Sequence, residues 1–324
     1  MTHLTPTFED VQQAATRIGS LAHRTPVLTS RLVDARCDAH LFFKCENLQR
    51  VGAFKFRGAA NAVFSLDAKR AAHGVATHSS GNHAAALALA AQLRGIPAYV
   101  VMPANAPAAK VAAVRAYGGQ ITFCEPTLEA REHTLAAVLD EHGAESVHPY
   151  NDERVIAGQG TAALELIDDV DDLDIIMTPV GGGGLLSGTA ITTHARSPGT
   201  RIIAAEPEGA NDAWQSFHAG RIIPSVAPNT IADGLLTSLG DRTWPIIRTH
   251  VRDIVLADDA AIITTMRFVW ERMKILVEPS AVLPLAAIFA GALDVRGLRV
   301  GIILSGGNLD LDRLPWQMTS VVQA

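Results

Sequence analysis

The segment Glu46-Asn47-Leu48-Gln49-Arg50-Val51-Gly52-Ala53-Phe54-Lys55-Phe56-Arg57-Gly58 sets a lysine between two phenylalanines, with glycines near both ends and a helix-favouring run behind it. Burial of the rings draws the ammonium out of water, and a desolvated lysine loses proton affinity and becomes an available amine. Such an amine can form a Schiff base with a carbonyl compound. The segment alone fits equally a lysine whose stem is buried while its head reaches solvent. Its meaning depends on what else the chain carries.

A second segment, Thr178-Pro179-Val180-Gly181-Gly182-Gly183-Gly184-Leu185-Leu186-Ser187-Gly188, follows the apolar run Ile175-Ile176-Met177 and precedes a helix-like stretch from Ala190 to Ala195. Consecutive glycines between strand and helix let successive backbone N–H groups converge at the positive helix end, an anion nest suited to phosphate. No Gly-Lys-Ser/Thr follows, as a P-loop requires, and no clean acidic residue closes the next strand for a dinucleotide ribose. A plain strand-to-helix turn is the alternative. A third segment, Ile302-Ile303-Leu304-Ser305-Gly306-Gly307-Asn308, reads as a strand ending in a hydroxyl, where ligands of open α/β sheets bind. Activated amine, phosphate nest and neutral hydroxyl are the anchors that pyridoxal phosphate needs for its aldehyde, phosphate and ring nitrogen.

With these segments in view, the chain resembles the second fold type of pyridoxal-phosphate enzymes, and within it the group of serine racemases, serine/threonine dehydratases and hydroxyaspartate dehydratases. The resemblance runs from Arg24-Thr25-Pro26-Val27 through Ser79-Ser80-Gly81-Asn82-His83, His148-Pro149 and Ala157-Gly158-Gln159-Gly160-Thr161 to the glycine loop. It continues through Ala204-Ala205-Glu206-Pro207, Ile231-Ala232-Asp233-Gly234, Thr243-Trp244-Pro245 and Glu278-Pro279-Ser280 to Ser305-Gly306-Gly307-Asn308. It implies an α/β fold of two lobes, like the tryptophan synthase beta chain, with open, mostly parallel sheets flanked by helices. Residues 1–73 and 152–324 are expected to form a discontinuous large cofactor-binding domain, and residues 74–151 a small one. The resemblance also implies a homodimer.

Composition sets bounds. The 324 residues are 48% hydrophobic and 19% charged, enough for two compact lobes of an ordinary globular enzyme. A net charge of -6 argues against a nucleic-acid partner, and the longest apolar stretch, Ala281 to Leu293, contains Pro284 and is too short for a bilayer. Cys37, Cys45 and Cys124 make no disulfide framework, and Met1 to Asp10 lacks the basic and apolar parts of a signal peptide, so the cytoplasm is the expected compartment. The lack of a region after Trp316 argues against the long, feedback-regulated threonine dehydratases.

Thr7 with Asp10 three residues on predicts a helix start before Val11 to Leu21. Three strand-helix units follow: Gly74 to Thr77 with Asn82 to Arg94, Pro97 to Met102 with Pro107 to Tyr117, and Gln120 to Cys124 with Leu128 to His142. A second series has strands at Ile175, Arg201 to Ala204 and Val300 to Leu304.

By resemblance, Lys55 holds the cofactor covalently and later takes the substrate Cα proton. Phe54 packs on the cofactor ring, Asn82 bonds its phenolic oxygen, Gly181, Gly182, Gly183, Gly184 and Leu185 cradle its phosphate, and Ser305 faces its ring nitrogen. A neutral partner there moderates the carbanion and favours elimination over transamination. Ser79-Ser80-Gly81-Asn82-His83 reads blandly as a serine N-cap with an exposed histidine. By resemblance it holds the substrate α-carboxylate through Ser79, Ser80 and His83, and Ser80 occupies the position of the second-face acid/base of racemases, which permits racemisation without requiring it.

Glu206-Pro207-Glu208-Gly209-Ala210-Asn211-Asp212 reads as an acidic turn; by resemblance, Glu206, the Ala210 carbonyl and Asp212 bind a divalent cation, Mg²⁺ or Ca²⁺. Arg131 reads as one half of a helical surface pair with Glu129 or Glu132. By resemblance it reaches a second substrate carboxylate, with Thr237 also at the substrate, which favours 3-hydroxyaspartate. Tyr150, where animal racemases have asparagine, and Ala53 before Phe54 also turn the comparison toward microbial hydroxyaspartate dehydratases. The expectation is a lyase that removes water and then ammonia from a 3-hydroxy amino acid, 3-hydroxyaspartate ahead of L-serine or L-threonine. The alternatives are a serine racemase, a β-replacement enzyme like cysteine synthase and, from another class, a nucleotide-binding oxidoreductase.

Overall fold

The computed structural model describes residues 5–79 and 81–318. Its strands are, in chain order, β1 (Val27–Leu28), β2 (His40–Cys45), β3 (Val75–His78), β4 (Ala98–Pro103), β5 (Gln120–Cys124), β6 (Glu145–Ser146), β7 (Ile175–Pro179), β8 (Arg201–Pro207), β9 (Asp253–Ala257) and β10 (Arg299–Leu304). They form a six-stranded sheet, β1-β2-β10-β7-β8-β9, and a four-stranded sheet, β5-β4-β3-β6. Only β1 runs antiparallel, against β2. Parallel strands need crossover helices on both faces, so their residues are buried on both sides, as every residue of β7 is.

The strand-helix units expected from 74 to 142 form with nearly the predicted bounds, and the Thr7–Asp10 capping box starts helix Phe8–Ile18. Four strands escaped the hydrophobic pattern. β1 and β6 are only two residues long; β2 contains Lys44, which is fully buried and ion-paired with Glu165 at 2.6 Å; β9 opens on Asp253. The helix expected from Ala190 begins at Gly184, because the last glycine of the loop already lies in its first turn. Helices Glu153–Asp169 and Gly184–Arg196 pack backbone to backbone: a Cβ on Gly188 would lie 2.4 Å from the Ile156 carbonyl oxygen and 2.5 Å from the Gly160 nitrogen. This close approach accounts for the glycine in the Gln159-Gly160-Thr161 motif.

The connectivity creates two crevices. In the larger sheet the chain leaves β7 toward β8 and β9, then returns to place β10 on the other side of β7, so the switch point lies between β7 and β10. In the smaller sheet the corresponding switch lies between β3 and β6. Ligands of open parallel sheets bind beyond the carboxyl ends of strands at such points. There lie the glycine loop after β7, Ser305 after β10, Ser79 after β3 and His148 after β6. Among the described residues no helix is long and apolar enough to cross a membrane.

Candidate active site

Lys55 occupies the first turn of helix Lys55–Phe64, and the chain before it is tied to the end of β10. Phe54 N–H donates to the Ser305 carbonyl at 3.0 Å, Gly307 N–H donates to the Gly52 carbonyl at 2.9 Å, and Ala53 bridges to Gly306. The lysine Nζ donates to the Pro149 carbonyl at 2.8 Å and lies 5.1 Å from the Phe54 ring centroid. Burial of the amine lowers its pKa to about 8, while the nearby Glu278 carboxylate acts in the opposite direction. Two residues on, Arg57 anchors the same helix. Its fully buried guanidinium bonds Glu46 at 2.7 and 2.8 Å, Glu165 at 2.7 and 2.8 Å, the Thr161 hydroxyl at 3.2 Å and the His23 carbonyl at 3.3 Å.

All four loop glycines are buried, and Gly183 takes φ +89°, a left-handed backbone that side chains resist. The loop is pinned by Thr243, whose hydroxyl donates to the Gly182 carbonyl at 2.8 Å. Leu185 packs in one apolar cluster with Phe54. Beside the loop, Gln159 is fully buried, and neither of its side-chain polar atoms has a partner. An orphaned amide and uncapped helix N–H groups fit a bound anion. The larger sheet also has an acidic residue near the end of the strand after the loop, Glu206 in β8, which a dinucleotide reading would need. Glu206 is fully buried, however, and accepts from the backbone N–H groups of Ala213 at 2.8 Å and Trp214 at 2.7 Å, so it is not open to a ribose.

Ser305 is buried at the end of β10. Next to it, Asn82 Nδ2 donates to both oxygens of Glu278, and Asn82 Oδ1 accepts from Asn308 Nδ2 at 3.0 Å. The amide expected at the cofactor's phenolic oxygen thus makes protein contacts on both of its atoms. In the sequence, Glu278 is part of the Glu278-Pro279-Ser280 motif and carries no role of its own. A glutamate before Pro279 signals a helix start, yet its side chain does not cap helix Pro279–Phe289 and turns instead to Asn82. Burial pushes its pKa up to about 7, with the Asn82 bond opposing and Asp233 adding to the shift.

The facing wall comes from the smaller sheet. Helix Asn82–Arg94 has Gly81 at its N-cap and no side-chain cap, and His83 is buried, so the reading as a serine-capped helix with an exposed histidine does not hold. Ser79 Oγ accepts from Gly81 N–H at 3.3 Å. Ser80 lies outside the described residues. His83 Nε2 donates to the Val147 carbonyl at 3.1 Å, its Nδ1 has no partner, and burial lowers its pKa to about 3. His148 Nδ1 accepts from Asn151 N–H at 2.9 Å, and burial lowers its pKa to about 4. Both imidazoles are therefore neutral near pH 7. Arg131 Nε donates to the Thr127 carbonyl at 3.2 Å, and the surface pair with Glu129 or Glu132 does not form, because residues one and two positions apart on helix Leu128–His142 do not share a face. Tyr150, unassigned from sequence, sets its ring edge-on to His148 at 4.5 Å; burial raises the pKa of its hydroxyl, and Thr237 moderates the shift.

Glu206, near the end of β8, and Asp212, beyond it, stand together, with Ala210 buried between them in the chain. Burial pushes Glu206 up to about 8 and Asp212 up to about 6. Neither Asp212 oxygen finds a bond of good geometry, although the Ser225 hydroxyl is near enough to moderate the shift.

A nest for phosphate, a free amine and a buried hydroxyl at one switch point are what a phosphorylated aldehyde requires, which places the protein among the enzymes of pyridoxal phosphate. The chain belongs to the family described as pyridoxal-phosphate dependent enzyme, whose pattern matches residues 18–306, and pyridoxal phosphate is its cofactor. It is 55% identical over 311 residues to a protein of Paracoccus denitrificans named beta-hydroxyaspartate dehydratase, covering 96% of this chain and 99% of that one. It is 52% identical to a serine racemase of Arabidopsis thaliana over 94% of this chain and 93% of that one. The solved structure of maize serine racemase superposes with a TM-score of 0.93 at 46% identity, covering 99% of each chain.

Proposed function

We propose that this enzyme is a dehydratase of 3-hydroxyaspartate. It removes the Cα proton and the β-hydroxyl as water, and the released enamine hydrolyses to ammonia and a 2-oxo acid. The observation that carries the choice of substrate is Arg131: its Nε donates to the Thr127 carbonyl, it forms no ion pair with a carboxylate among the described residues, and its charge helps to hold down the pKa of His78, whose ring lies 5.6 Å from that of His148. A cation left unpaired in a cleft suits an anionic group on the ligand. L-Serine and L-threonine have no such group at Cβ.

Pyridoxal phosphate supplies an electron sink for the charge that develops at Cα. The residues that hold it in this reading are Lys55, Phe54, Asn82, Gly181 to Gly184, Leu185 and Ser305. Lys55 Nζ, once free, is the base that takes the Cα proton, and its lowered pKa keeps part of it unprotonated near neutrality. The N–H groups at the start of helix Asn82–Arg94, with Ser79, Ser80 and His83, orient the α-carboxylate. Arg131 and Thr237 meet the β-carboxylate. Glu206, the Ala210 carbonyl and Asp212 hold a divalent cation, whose charge would relieve two buried carboxylates that otherwise resist ionisation. The division into a large domain, 1–73 and 152–324, and a small one, 74–151, follows the two sheets. A homodimer acting on a small amino acid in the cytoplasm completes the proposal.

The similarity to serine racemases favours some racemisation as a second activity. The test is to measure kcat/KM for the 3-hydroxyaspartate stereoisomers, L-serine and L-threonine, with formation of D-serine followed in parallel. A preference for serine or threonine, or racemisation outrunning ammonia release, would overturn the assignment.

A further inference from the structure

The turn that presents Lys55 is strained. Val51 has φ 54° and ψ 14°, in the left-handed region, and of the five non-glycine residues with positive φ among the described residues it alone is β-branched. A branched side chain resists that backbone, so contacts from outside the turn must hold it. Asn308, three residues beyond Ser305, makes such a contact. Its Nδ2 donates to the Val51 carbonyl at 2.6 Å, and the turn fits closely round the amide: a Cβ on Gly52 would fall 2.5 Å from Asn308 Oδ1.

The same nitrogen donates to Asn82 Oδ1 at 3.0 Å, and the Asn308 backbone N–H donates to Glu278 Oε2 at 3.1 Å. One residue thus touches the turn before Lys55, the helix start at Asn82 and the buried carboxylate that Asn82 also holds. The bonds have a fixed direction. A backbone carbonyl only accepts, so Val51 draws the nitrogen of the Asn308 amide; that nitrogen only donates, so Asn82 turns its oxygen toward it and its own nitrogen toward Glu278. An Asn82 amide free to flip would offer oxygen where nitrogen now stands. We infer that Asn308 is a positioning residue: through Val51 it holds the strained turn that presents the Lys55 amine, and through Asn82 it keeps one amide orientation at the cofactor. The second half rests on the assignment of Asn82 to the cofactor, and the first does not.

Asn308→Ala should lower kcat for ammonia release about 5- to 50-fold, the worth of one or two hydrogen bonds, with KM little changed. The assay uses whichever of 3-hydroxyaspartate and L-serine the wild type turns over faster. The variant holoenzyme should also lose pyridoxal phosphate faster on dilution, and the absorbance of its bound cofactor should move from the wild-type position. Glycine takes a left-handed backbone without strain, so adding Val51→Gly to Asn308→Ala should restore turnover by about 3-fold or more. The absorbance should stay shifted, because the bond to Asn82 is still missing. If Asn82→Ala leaves the absorbance in place while Val51→Gly still rescues turnover, the assignment of Asn82 fails and the hold on Lys55 stands. Asn308→Ser, which keeps one donor, gives the same comparison with smaller losses if the alanine variant does not fold. No rescue by Val51→Gly, or a loss that follows KM with cofactor absorbance and retention unchanged, would overturn the inference.

Discussion

The side-chain amide of Asn82 donates to both oxygens of the Glu278 carboxylate, at 3.0 and 3.1 Å, across 196 positions of sequence. The contact joins the helix start beyond β3 to the helix start before Pro279, so one buried carboxylate links the two crevices that face each other at the site. It also lies close enough to Lys55 to raise the affinity of that amine for protons.

Glu278 therefore ties stability to pH. Its folded pKa, about 7, lies above the ordinary 4.5, so the folded protein binds the proton more tightly and loses stability as pH rises from about 4.5 to about 7. The full separation corresponds to about 3 kcal/mol. Glu278→Gln should flatten that part of the profile, measured as urea midpoints across the range. A slope matching wild type would mean that another group carries the dependence.

Lys55→Ala should reduce turnover by at least about 10²- to 10⁴-fold, the usual share of a positioned base, because the covalent anchor for the cofactor is lost with it. Circular dichroism should report a retained fold. In cofactor-free protein, reductive methylation of Lys55 should show a midpoint near pH 8, shifted lower in Glu278→Gln. A midpoint near the usual 10.5 in wild type would remove the argument from burial.

Much of this was legible from local pattern. The helices at 82–94 and 128–142, the glycine loop and the strand before Ser305 each announce themselves within a dozen residues. What was hidden depends on partners distant in sequence. Lys44 disguised β2, because a buried cation breaks an apolar run and its partner Glu165 lies more than a hundred residues away. Glu278 reads only as part of the Glu278-Pro279-Ser280 motif, and nothing near it in the chain names Asn82. Tyr150 looked like a departure from a pattern, since only the folded chain brings Gly182 beneath its ring. Arg131 misled in the other direction: glutamates adjoin it in the chain, but one and two positions do not share a helix face, and among the described residues it forms no ion pair.

Arg131→Ala tests the consequence of that unpaired charge. Truncating one member of a desolvated charge pair costs about 2 to 5 kcal/mol, so kcat/KM for 3-hydroxyaspartate should fall by more than about 30-fold. Values for L-serine and L-threonine should change far less. A uniform loss over all three substrates would assign Arg131 to the architecture of the cleft.

The carboxylates at the end of β8 and just after it predict a cation effect with a definite sign. Glu206 and Asp212 have folded pKa values of about 8 and about 6, above the ordinary range, so without a cation stability is lost as pH rises through those values. A bound divalent cation favours both charged forms and reverses that loss, by about 2.7 kcal/mol at a concentration one hundred times its Kd. The difference in Tm between Mg²⁺ or Ca²⁺ and EDTA should therefore widen from pH 6 to pH 8 and vanish in Asp212→Ala. A difference that is constant with pH, or one that survives the substitution, would place the cation elsewhere.

Arg57 makes the strongest prediction about stability. Its guanidinium satisfies the buried carboxylate of Glu46 and the half-buried one of Glu165, which also holds Lys44, so removing the arginine strands the Glu46 charge where water cannot reach it. Breaking a buried pair from one side costs about 3 to 5 kcal/mol. Arg57→Met should therefore lower stability by that amount in urea denaturation. Because the guanidinium also fixes the helix whose first residue is Lys55, turnover should fall at temperatures where the variant is still folded. Replacing Glu46 by leucine in the same chain removes one stranded carboxylate, so the double variant should lose clearly less than the two single losses added together. Strictly additive losses would show that Arg57 and Glu46 contribute independently, and that Lys55 is positioned by the contacts of Phe54 and Gly52 with the end of β10 alone.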